Sequence, residues 1–300
     1  MVIVRLWGGL GNQLFQYAFA YCRAKAINTD LILDLGFFDE TNSRINKRFT
    51  KRNADIMEMN ILEANSLMPT FLRKKVLFLQ KKNINRLIRI PCYSSLHIGN
   101  GFKYVKESRY KYNSKYNEKI DNVYYDGYWQ SESYFKPFRK QLIEQFIPKK
   151  ISNSCLEISK RIESCNSIML HIRRGDYVRK SFAFSNLYLL DEKYYHDSIA
   201  FISKTMDNPV FFVFSDDVDW AKERLSYLKN VFFVSGGNEL TTLEEFYLMT
   251  KCKNHIVSNS TFSWWGAWLA ESDNKIVLRP SKWFGNRDIF PKEWISIQVK

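Results

Sequence analysis

In the second half of the chain, short apolar runs alternate in strict turn with segments whose apolar residues recur at helical spacing. The runs that predict strands are 167–172, 210–214, 231–234, 255–257 and 275–278, and the segments that predict helices are 194–204, 218–228, 242–252 and 262–271. Such alternation is typical of a doubly wound α/β domain with a parallel sheet. Ligands of these sheets bind beyond the carboxyl ends of the strands, so the polar residues found there are candidates for a site.

The first 35 residues predict another α/β arrangement. A buried strand over 1–7 runs into a glycine turn at 8–13, a helix continues to about residue 26, and 31–35 supplies the next strand, which makes a βαβ unit. The glycine turn either only permits the tight reversal, or also lets backbone N–H groups and the Asn12 amide approach a ligand at the positive end of the helix. Its spacing differs from that of the dinucleotide-binding fingerprint.

The length of 300 residues suits one large domain or two ordinary ones, and the apolar fraction of 45% is enough for a buried core. A proline and a polar run at 148–154 predict a joint, so we expect domains over residues 1–150 and 151–300. The stretch 123–138 is rich in aromatic residues interspersed with Asp126, Gln130 and Glu132. This pattern is typical of a sugar site, and more commonly of a core strand followed by a helix cap.

The positive charge of the chain is concentrated in one segment. Residues 41–120 hold 18 Lys and Arg against 5 Asp and Glu, a net charge of +13, while the whole chain carries +14. Such a segment attracts polyanions, so its partner could be nucleic acid, an anionic membrane surface or a phosphorylated substrate. The alternative is a solvated basic surface without a specific partner. No helix-turn-helix, RNP or zinc pattern accompanies the charge, which argues against a nucleic-acid-binding protein.

The cysteines and the hydropathy pattern indicate a cellular compartment. The five cysteines are widely scattered and form no Cys-x-x-Cys pair, which favours reduced thiols and no zinc site. The sequence shows neither a signal-peptide pattern nor a run of 18 uncharged apolar residues. We therefore expect a cytoplasmic protein, with peripheral contact to the inner face of an anionic membrane as an additional hypothesis for segment 41–120.

The stretch HIRRGDY at 171–177 presents two adjacent arginines at the end of a predicted strand. Guanidinium groups stay charged and offer a planar fork of donors, so Arg173 and Arg174 predict a diphosphate site. Successive strand residues point to opposite faces, so we expect only one of the two to face the ligand. The alternative is that the pair forms a surface ion pair with Asp176.

Two other strand ends carry polar residues. Asp216 and Asp217 either ligate a metal or accept hydrogen bonds from a guanine base, and the sequence leaves both open. The run 258–263 leads directly into a predicted helix, so its hydroxyls and backbone donors form a phosphate cradle at the positive helix end, or serve as ordinary N-caps.

The ordered motifs resemble those of bacterial alpha-1,2-fucosyltransferases. The matching stretches are GGLGNQLFQYA at 8–18, GYWQSE at 127–132, HIRRGDY at 171–177, FSDD at 214–217 and SNSTFSWWGAWL at 258–269. This resemblance implies a GT-B type α/β fold, with two Rossmann-like domains facing across a cleft, the first on the acceptor side and the second binding the donor. Segment 41–120 has no counterpart in the resemblance, so the acceptor is not specified.

The resemblance also implies an activity, the inverting transfer of L-fucose from GDP-fucose to the 2-hydroxyl of a galactoside, without a metal. The implied acceptor is a galactose-terminated oligosaccharide or lipid-linked glycan, as in O-antigen-like surface glycan synthesis. The implied contacts are Arg173 or Arg174 with the diphosphate, Ser260, Thr261 and Phe262 beside it, His171 and Asp217 with guanine, Asn12 with the diphosphate or fucose, and Asp176, Asp216, Gly11 and Gln13 as further substrate-binding positions.

The general base is not identified by any motif. A sugar hydroxyl that attacks an oxocarbenium-like centre needs a carboxylate or histidine nearby, and Asp126, Glu132 and Asp176 are the candidates. Diphosphate and guanine contacts do not identify the hexose, so a transferase for another GDP-sugar is the main alternative.

Overall fold

The computed structural model describes residues 1–43, 52–62, 72–74, 76, 94–107, 111–175, 189–236, 240–283 and 289–299. The chain divides into two compact units, Met1–Phe146 and Ile147–Lys300, so the division falls just before the predicted joint. Within the described ranges, no helix is both long and apolar enough to cross a membrane.

The first unit contains one sheet in its described part. Its strands are β1 (Val2–Arg5), β2 (Leu31–Asp34), β3 (Ser94–Gly99), β4 (Phe102–Lys106) and β5 (Val123–Asp126), and its helices are α1 (Leu10–Ile27), α2 (Gly36–Ser43) and α3 (Arg139–Gln145). The sheet order is β2-β1-β5-β4-β3. All neighbouring strands are parallel except β3, which pairs antiparallel with β4. The predicted βαβ opening is therefore confirmed.

Burial explains why these residues form this core. The three apolar residues that open β1 are fully buried, and most of α1 is buried, including aromatic side chains. Gln16 of α1 fixes the end of β1, because its amide donates to the carbonyl of Trp7 at 3.3 Å and accepts from the N–H of Trp7 at 3.0 Å. The strand order reverses at β1, so the switch point of this sheet lies between β1 and β5, where ligands of such sheets bind.

The second unit alternates strands and helices as predicted from residue 167 to about residue 280, and one further helix before this stretch and one further strand after it were not predicted. Its strands are β6 (Ser167–Ile172), β7 (Val210–Ser215), β8 (Val231–Phe233), β9 (Asn254–Ile256), β10 (Val277–Pro280) and β11 (Ile295–Ile297), and its helices are α4 (Asn153–Glu163), α5 (Glu192–Thr205), α6 (Val218–Arg224), α7 (Thr242–Lys251) and α8 (Thr261–Leu269). All pairings are parallel, in the order β11-β10-β9-β6-β7-β8. This is the doubly wound order of dinucleotide-binding folds.

The central strand β6 sets the position of the second site. All six of its residues are buried, as expected for a parallel strand with helices on both faces. Its neighbours are β7, which follows it in sequence, and β9, which does not. The switch point therefore lies between the carboxyl ends of β6 and β9, immediately before the arginines and the serine-rich run.

Candidate functional site

The loop that follows β6 carries the adjacent arginines, and we call residues 173–175 the arginine loop. Asp216 holds this loop, because its Oδ1 accepts hydrogen bonds from the N–H groups of Arg174 at 2.8 Å and Gly175 at 3.0 Å. Its Oδ2 lies 2.7 Å from Nη1 of Arg173. A Cβ atom on Gly175 would lie 3.0 Å from Asp216 Oδ2, so the glycine leaves room for this contact.

The two arginine side chains have different surroundings. The guanidinium carbon of Arg174 lies 4.1 Å from the ring centroid of Trp220, and its Nε donates to Asp217 Oδ2 at 3.1 Å. Arg174 is therefore bound to helix α6 by a cation–π contact and an ion pair. Because side chains alternate along an extended chain, Arg173 continues the side of His171. This arrangement makes Arg173 the better candidate for an anionic ligand.

The switch point of the second sheet brings β6 and β9 into contact through polar side chains. His171 Nδ1 and Ser258 Oγ form a hydrogen bond of 2.7 Å. Burial lowers the pKa of His171 well below its usual range, and the positive charge of Arg173 lowers it further. The imidazole is therefore neutral at pH 7. His171 is 5% exposed, so only a small part of it can contact a ligand.

Helix α8 begins beside this histidine. Ser260 is its N-cap, because Ser260 Oγ accepts from the N–H of Phe262 at 3.3 Å. Ser263 Oγ donates to the Ser260 carbonyl at 3.2 Å and accepts from the N–H of Ser258 at 3.3 Å. The N-cap interpretation is therefore confirmed for Ser260. The first turn, which includes Thr261, contains no acidic residue, so no carboxylate there offsets the positive end of the helix dipole.

In the first unit, the glycine turn brings Asn12 against the loop that follows β5. Gln130 Nε2 donates a hydrogen bond to Asn12 Oδ1 at 3.1 Å. Gly8 has a φ of +82°, and a Cβ atom there would lie 2.8 Å from Asn12 Nδ2. The helix N-cap is Gly9, which provides no side-chain cap, and the first turn of α1 contains no acidic residue. Asn12 thus lies at the positive end of α1, at the switch point of the first sheet.

Two predicted substrate-binding residues next to Asn12 lie inside the unit. The Gln13 side chain is fully buried, and its amide donates to the carbonyls of Gly8 at 3.1 Å and Asn53 at 2.9 Å. It also accepts from the N–H of Ile56 at 3.1 Å. Gly11 is buried within α1. Gln13 therefore binds the protein's own backbone and holds the glycine turn to residues 53–56, a structural arrangement that the sequence did not indicate.

The described candidates for the general base already have partners. Asp126 is 4% exposed, accepts from the Tyr104 hydroxyl at 2.6 Å, and lies 3.5 Å from Nη1 of Arg5. Glu132 lies 3.1 Å from Nζ of Lys136, four residues further along the chain. Both carboxylates would therefore accept a proton from a sugar hydroxyl while also contacting these protein partners.

Several predictions fall outside the described residues. These include the roles of Asp176, the alternative ion pair of that residue with the arginines, and the properties of much of segment 41–120. In the part of the chain that the structure describes, no cluster of three or more His, Cys, Asp or Glu could hold a metal ion. Asp216 and Asp217 instead bind the arginine loop, and Asp217 also caps α6.

Residues that the sequence did not indicate complete the two sites. Trp220 supports Arg174, and its position became apparent only when α6 packed beside the arginine loop. Glu107 follows β4 and accepts hydrogen bonds from the N–H groups of Tyr128 at 2.6 Å and Trp129 at 3.2 Å. Glu107 lies in the basic segment, where no local motif points to a half-buried carboxylate.

Together, the rim of the second sheet combines a guanidinium, serine hydroxyls, a neutral imidazole and a helix N-terminus. Each of these groups can stabilise a bound phosphate, and none of them requires a metal.

Comparison with known proteins identifies the family of this chain. The profile described as "Glycosyl transferase family 11" matches residues 1–298. The chain belongs to glycosyl transferase family 11.

Similar family members are bacterial. This family 11 chain is 34% identical to an alpha-1,2-colitosyltransferase of Escherichia coli over 308 residues, which cover 99% of each chain. It is 32% identical to the O-antigen biosynthesis glycosyltransferase WbnK of Escherichia coli over 309 residues, 97% of this chain and 99% of that one. The predicted resemblance to the alpha-1,2-fucosyltransferase family is confirmed at the level of the family.

More distant matches extend the comparison. A galactoside alpha-(1,2)-fucosyltransferase 1 of Leontopithecus chrysomelas is 25% identical over 189 residues, 58% of this chain and 52% of that protein. Among solved structures, a mutant of Arabidopsis thaliana FUT1 in complex with GDP matches with a TM-score of 0.51 and 13% identity, over 92% of this chain and 69% of that one. This likeness shows a shared fold, so the predicted GT-B type α/β class is confirmed.

Proposed function

We propose that this family 11 glycosyltransferase moves L-fucose from GDP-fucose to the 2-hydroxyl of a galactoside, with inversion at the anomeric carbon. The motif resemblance supports the donor, the name of the colitosyltransferase relative supports alpha-1,2 linkage, and that of WbnK supports O-antigen synthesis. The primate match supports a galactoside acceptor. We propose that the enzyme acts in the cytoplasm during the synthesis of a surface glycan. Its acceptor would be a galactose-terminated oligosaccharide or a lipid-linked glycan.

The observation that carries this proposal is the rim at the β6–β9 switch point. Departure of GDP leaves negative charge on the diphosphate, which a preorganised guanidinium and a helix dipole stabilise more strongly than water does. Arg173 provides the charge, Asp216 fixes the loop that carries it, and Ser260 with the α8 N-terminus provides backbone donors beside it. We therefore propose that the reaction needs no divalent metal.

The first unit is proposed to bind the acceptor, and Asn12 is proposed as one of its substrate-binding residues. The Asn12 amide lies at the positive end of α1 and can donate or accept hydrogen bonds. Asp126 stays the proposed general base, and its contacts with the Tyr104 hydroxyl and the Arg5 guanidinium hold the carboxylate in place.

A second donor is favoured by a specific observation, the 34% identity to an alpha-1,2-colitosyltransferase over nearly the whole chain. Colitose is L-fucose without its 3-hydroxyl. A site that hydrogen-bonds this hydroxyl would reject the deoxy sugar by about 10⁴-fold or more, whereas an apolar site would discriminate by only about 100-fold. The ratio of kcat/KM for the two GDP-sugars therefore measures which sugar the site is built for.

The test supplies the purified chain with GDP-fucose, GDP-colitose, GDP-mannose or UDP-galactose, each with lactose, and identifies products by mass and linkage by NMR. Two control acceptors are cellobiose, which has no galactose, and a lactose analogue without the galactose 2-hydroxyl. We expect one fucosyl addition to lactose and none to either control. Transfer only from GDP-colitose would replace fucose by colitose, and transfer to the 2-deoxy analogue would contradict the linkage.

A further inference from the structure

The orientation of the Asn12 carboxamide is fixed on two sides. On one side, Gln130 Nε2 donates to Asn12 Oδ1 at 3.1 Å. On the other side, Asn12 Nδ2 packs against Gly8, where a Cβ atom would approach to 2.8 Å. A side-chain amide presents a donor and an acceptor that exchange places when it rotates by 180°. In the contact with Gln130 the Asn12 oxygen is the acceptor, so Nδ2 is the atom that remains a donor.

Gln130 is in turn held by a strained neighbour. Trp129 has a φ of +58°, in the left-handed region that bulky residues rarely adopt. Its ring is fully buried and stacks on Phe19 of α1, with centroids 4.1 Å apart and an interplanar angle of 6°. Strained backbone of this kind persists only where the surrounding structure enforces it, and it is concentrated at functional sites.

Glu107, which follows β4, holds this strained backbone in place. One oxygen, Oε2, accepts both the N–H of Tyr128 and the N–H of Trp129. Gly127 makes the approach possible, because a Cβ atom there would lie 2.5 Å from Cβ of Glu107 and 2.8 Å from Cε2 of Trp129. Burial raises the pKa of Glu107 to about 7, so this carboxyl is kept in the protein interior at an electrostatic cost that the two N–H bonds partly offset.

We propose that Gln130 is a positioning residue that holds the Asn12 amide with its oxygen inward and its Nδ2 hydrogens available to the ligand, and that Glu107 and Trp129 fix the loop that carries Gln130. The proposal rests on the proposed function, in which Asn12 contacts the substrate. Gln130 itself touches no reacting atom. Its removal lets the amide rotate and present an oxygen where the transition state requires a donor.

The test is a double-mutant cycle of Asn12→Ala and Gln130→Ala, with Gln130→Glu as a polarity variant. Mutation of a residue that orients a metal ligand typically lowers affinity or activity by about 10- to 100-fold, and we use this range by analogy. We expect Gln130→Ala to lower kcat by this amount, while KM for the donor changes by less than about threefold. Gln130→Glu keeps the size of the side chain but, when ionised, accepts instead of donating, so it should be at least as impaired. In the Asn12→Ala background, neither change at Gln130 should have a further effect.

Matched controls separate orientation from folding and charge. Gln141 is exposed in the same unit, so Gln141→Ala and Gln141→Glu make the same chemical changes away from the site and should keep kcat. Binding of GDP, followed by calorimetry, should stay within about twofold of wild type for every Gln130 variant, because the nucleotide rim in the second unit keeps its contacts. An additive cycle, or a Gln130→Glu variant with wild-type kcat, would overturn the proposal while the proposed function stands.

A readout independent of turnover covers the case in which no donor sugar is transferred. In protein labelled with ¹⁵N-asparagine, the Asn12 side-chain NH₂ pair of wild type should have its own chemical shifts, and Gln130→Ala should move them because the surroundings of the amide change. Glu107→Gln, which weakens the clamp on Tyr128 and Trp129, should move the same signal in the same direction. An unchanged Asn12 signal in both variants would refute the orienting contact, whereas absent transfer alone would refute only the proposed function.

Discussion

Substitution of lysine for each arginine of the arginine loop separates ligand binding from structural support. Both changes keep the charge and remove the planar fork of donors. Arg173 lies on the side of His171, whose pKa it lowers, whereas Arg174 stacks on Trp220 and pairs with Asp217. We therefore expect Arg173→Lys to impair transfer and Arg174→Lys mainly to destabilise the second unit.

The magnitudes follow from these contacts. Loss of a bidentate, charge-assisted contact to the departing diphosphate should cost about 2–4 kcal/mol in the transition state, or roughly 30- to 1,000-fold in kcat/KM. For Arg174→Lys, a weakened cation–π contact and a weakened, partly exposed ion pair together correspond to about 1–2 kcal/mol of unfolding free energy. In a unit of the size of Ile147–Lys300, that difference lowers Tm by about 2–8 °C.

The assay measures kcat/KM with GDP-fucose at saturating lactose, the affinity for GDP by calorimetry, and Tm by differential scanning fluorimetry. Arg161→Lys is the matched control, because Arg161 also lies over an aromatic ring, Phe232, at 4.5 Å, outside the arginine loop. It should change Tm slightly and leave kcat/KM unchanged. If Arg174→Lys lost more activity than Arg173→Lys, or if both kept most of it, the assignment of Arg173 to the diphosphate would be refuted.

Three further predictions address the metal, the pH dependence and the membrane. Because the proposed phosphate contacts are a guanidinium, hydroxyls and a helix end, EDTA should leave the transfer rate within about twofold of the untreated enzyme, and a loss restored by Mg²⁺ or Mn²⁺ would contradict this. Burial lowers the pKa of His255 to about 3, with a smaller effect of Lys275, so below pH 6.5 the unfolded chain binds a proton that the folded chain does not. As the pH is lowered from 6.5 to 4, this group should therefore reduce the unfolding free energy by about 1.4 kcal/mol per pH unit. Urea denaturation at several pH values should give His255→Gln a slope of unfolding free energy against pH that is smaller than that of wild type by this amount. Equal slopes in the two proteins would contradict the prediction. If segment 41–120 binds anionic bilayers, a variant with Lys74, Lys75, Lys81 and Lys82 changed to Gln should sediment less with anionic vesicles yet keep activity on lactose, and equal sedimentation would leave only a solvated basic surface.

Much of the architecture could be predicted because it depends on local patterns. Apolar runs such as 167–172 and 210–214 form strands since a parallel strand covered on both faces needs continuous apolar residues. The helix at 261–269 follows from its serine N-cap and apolar face. The order of the motifs was enough to indicate the family, and strand alternation was enough to predict that one arginine faces away from the other.

The tertiary structure decided which residues meet. Arg173 and Arg174 are equivalent in the sequence, and in the structure each pairs with an aspartate, but only Arg174 also stacks on Trp220 of helix α6. Gln13 and Asn12 are neighbours in one motif, yet the helical rotation of about 100° per residue directs Gln13 into the core and Asn12 to the rim.

The contacts that fix the loop beside Asn12 could not be predicted from the sequence either. Glu107 is one carboxylate in a basic segment, and Trp129 reads as a core aromatic residue. Their joint role arises because β4 and β5 are parallel neighbours, which places the end of one strand beside the loop that follows the other. Local patterns determine elements over a few residues, whereas a site at a switch point is assembled from strands far apart in the chain, so its hydrogen bonds exist only after the sheet has formed.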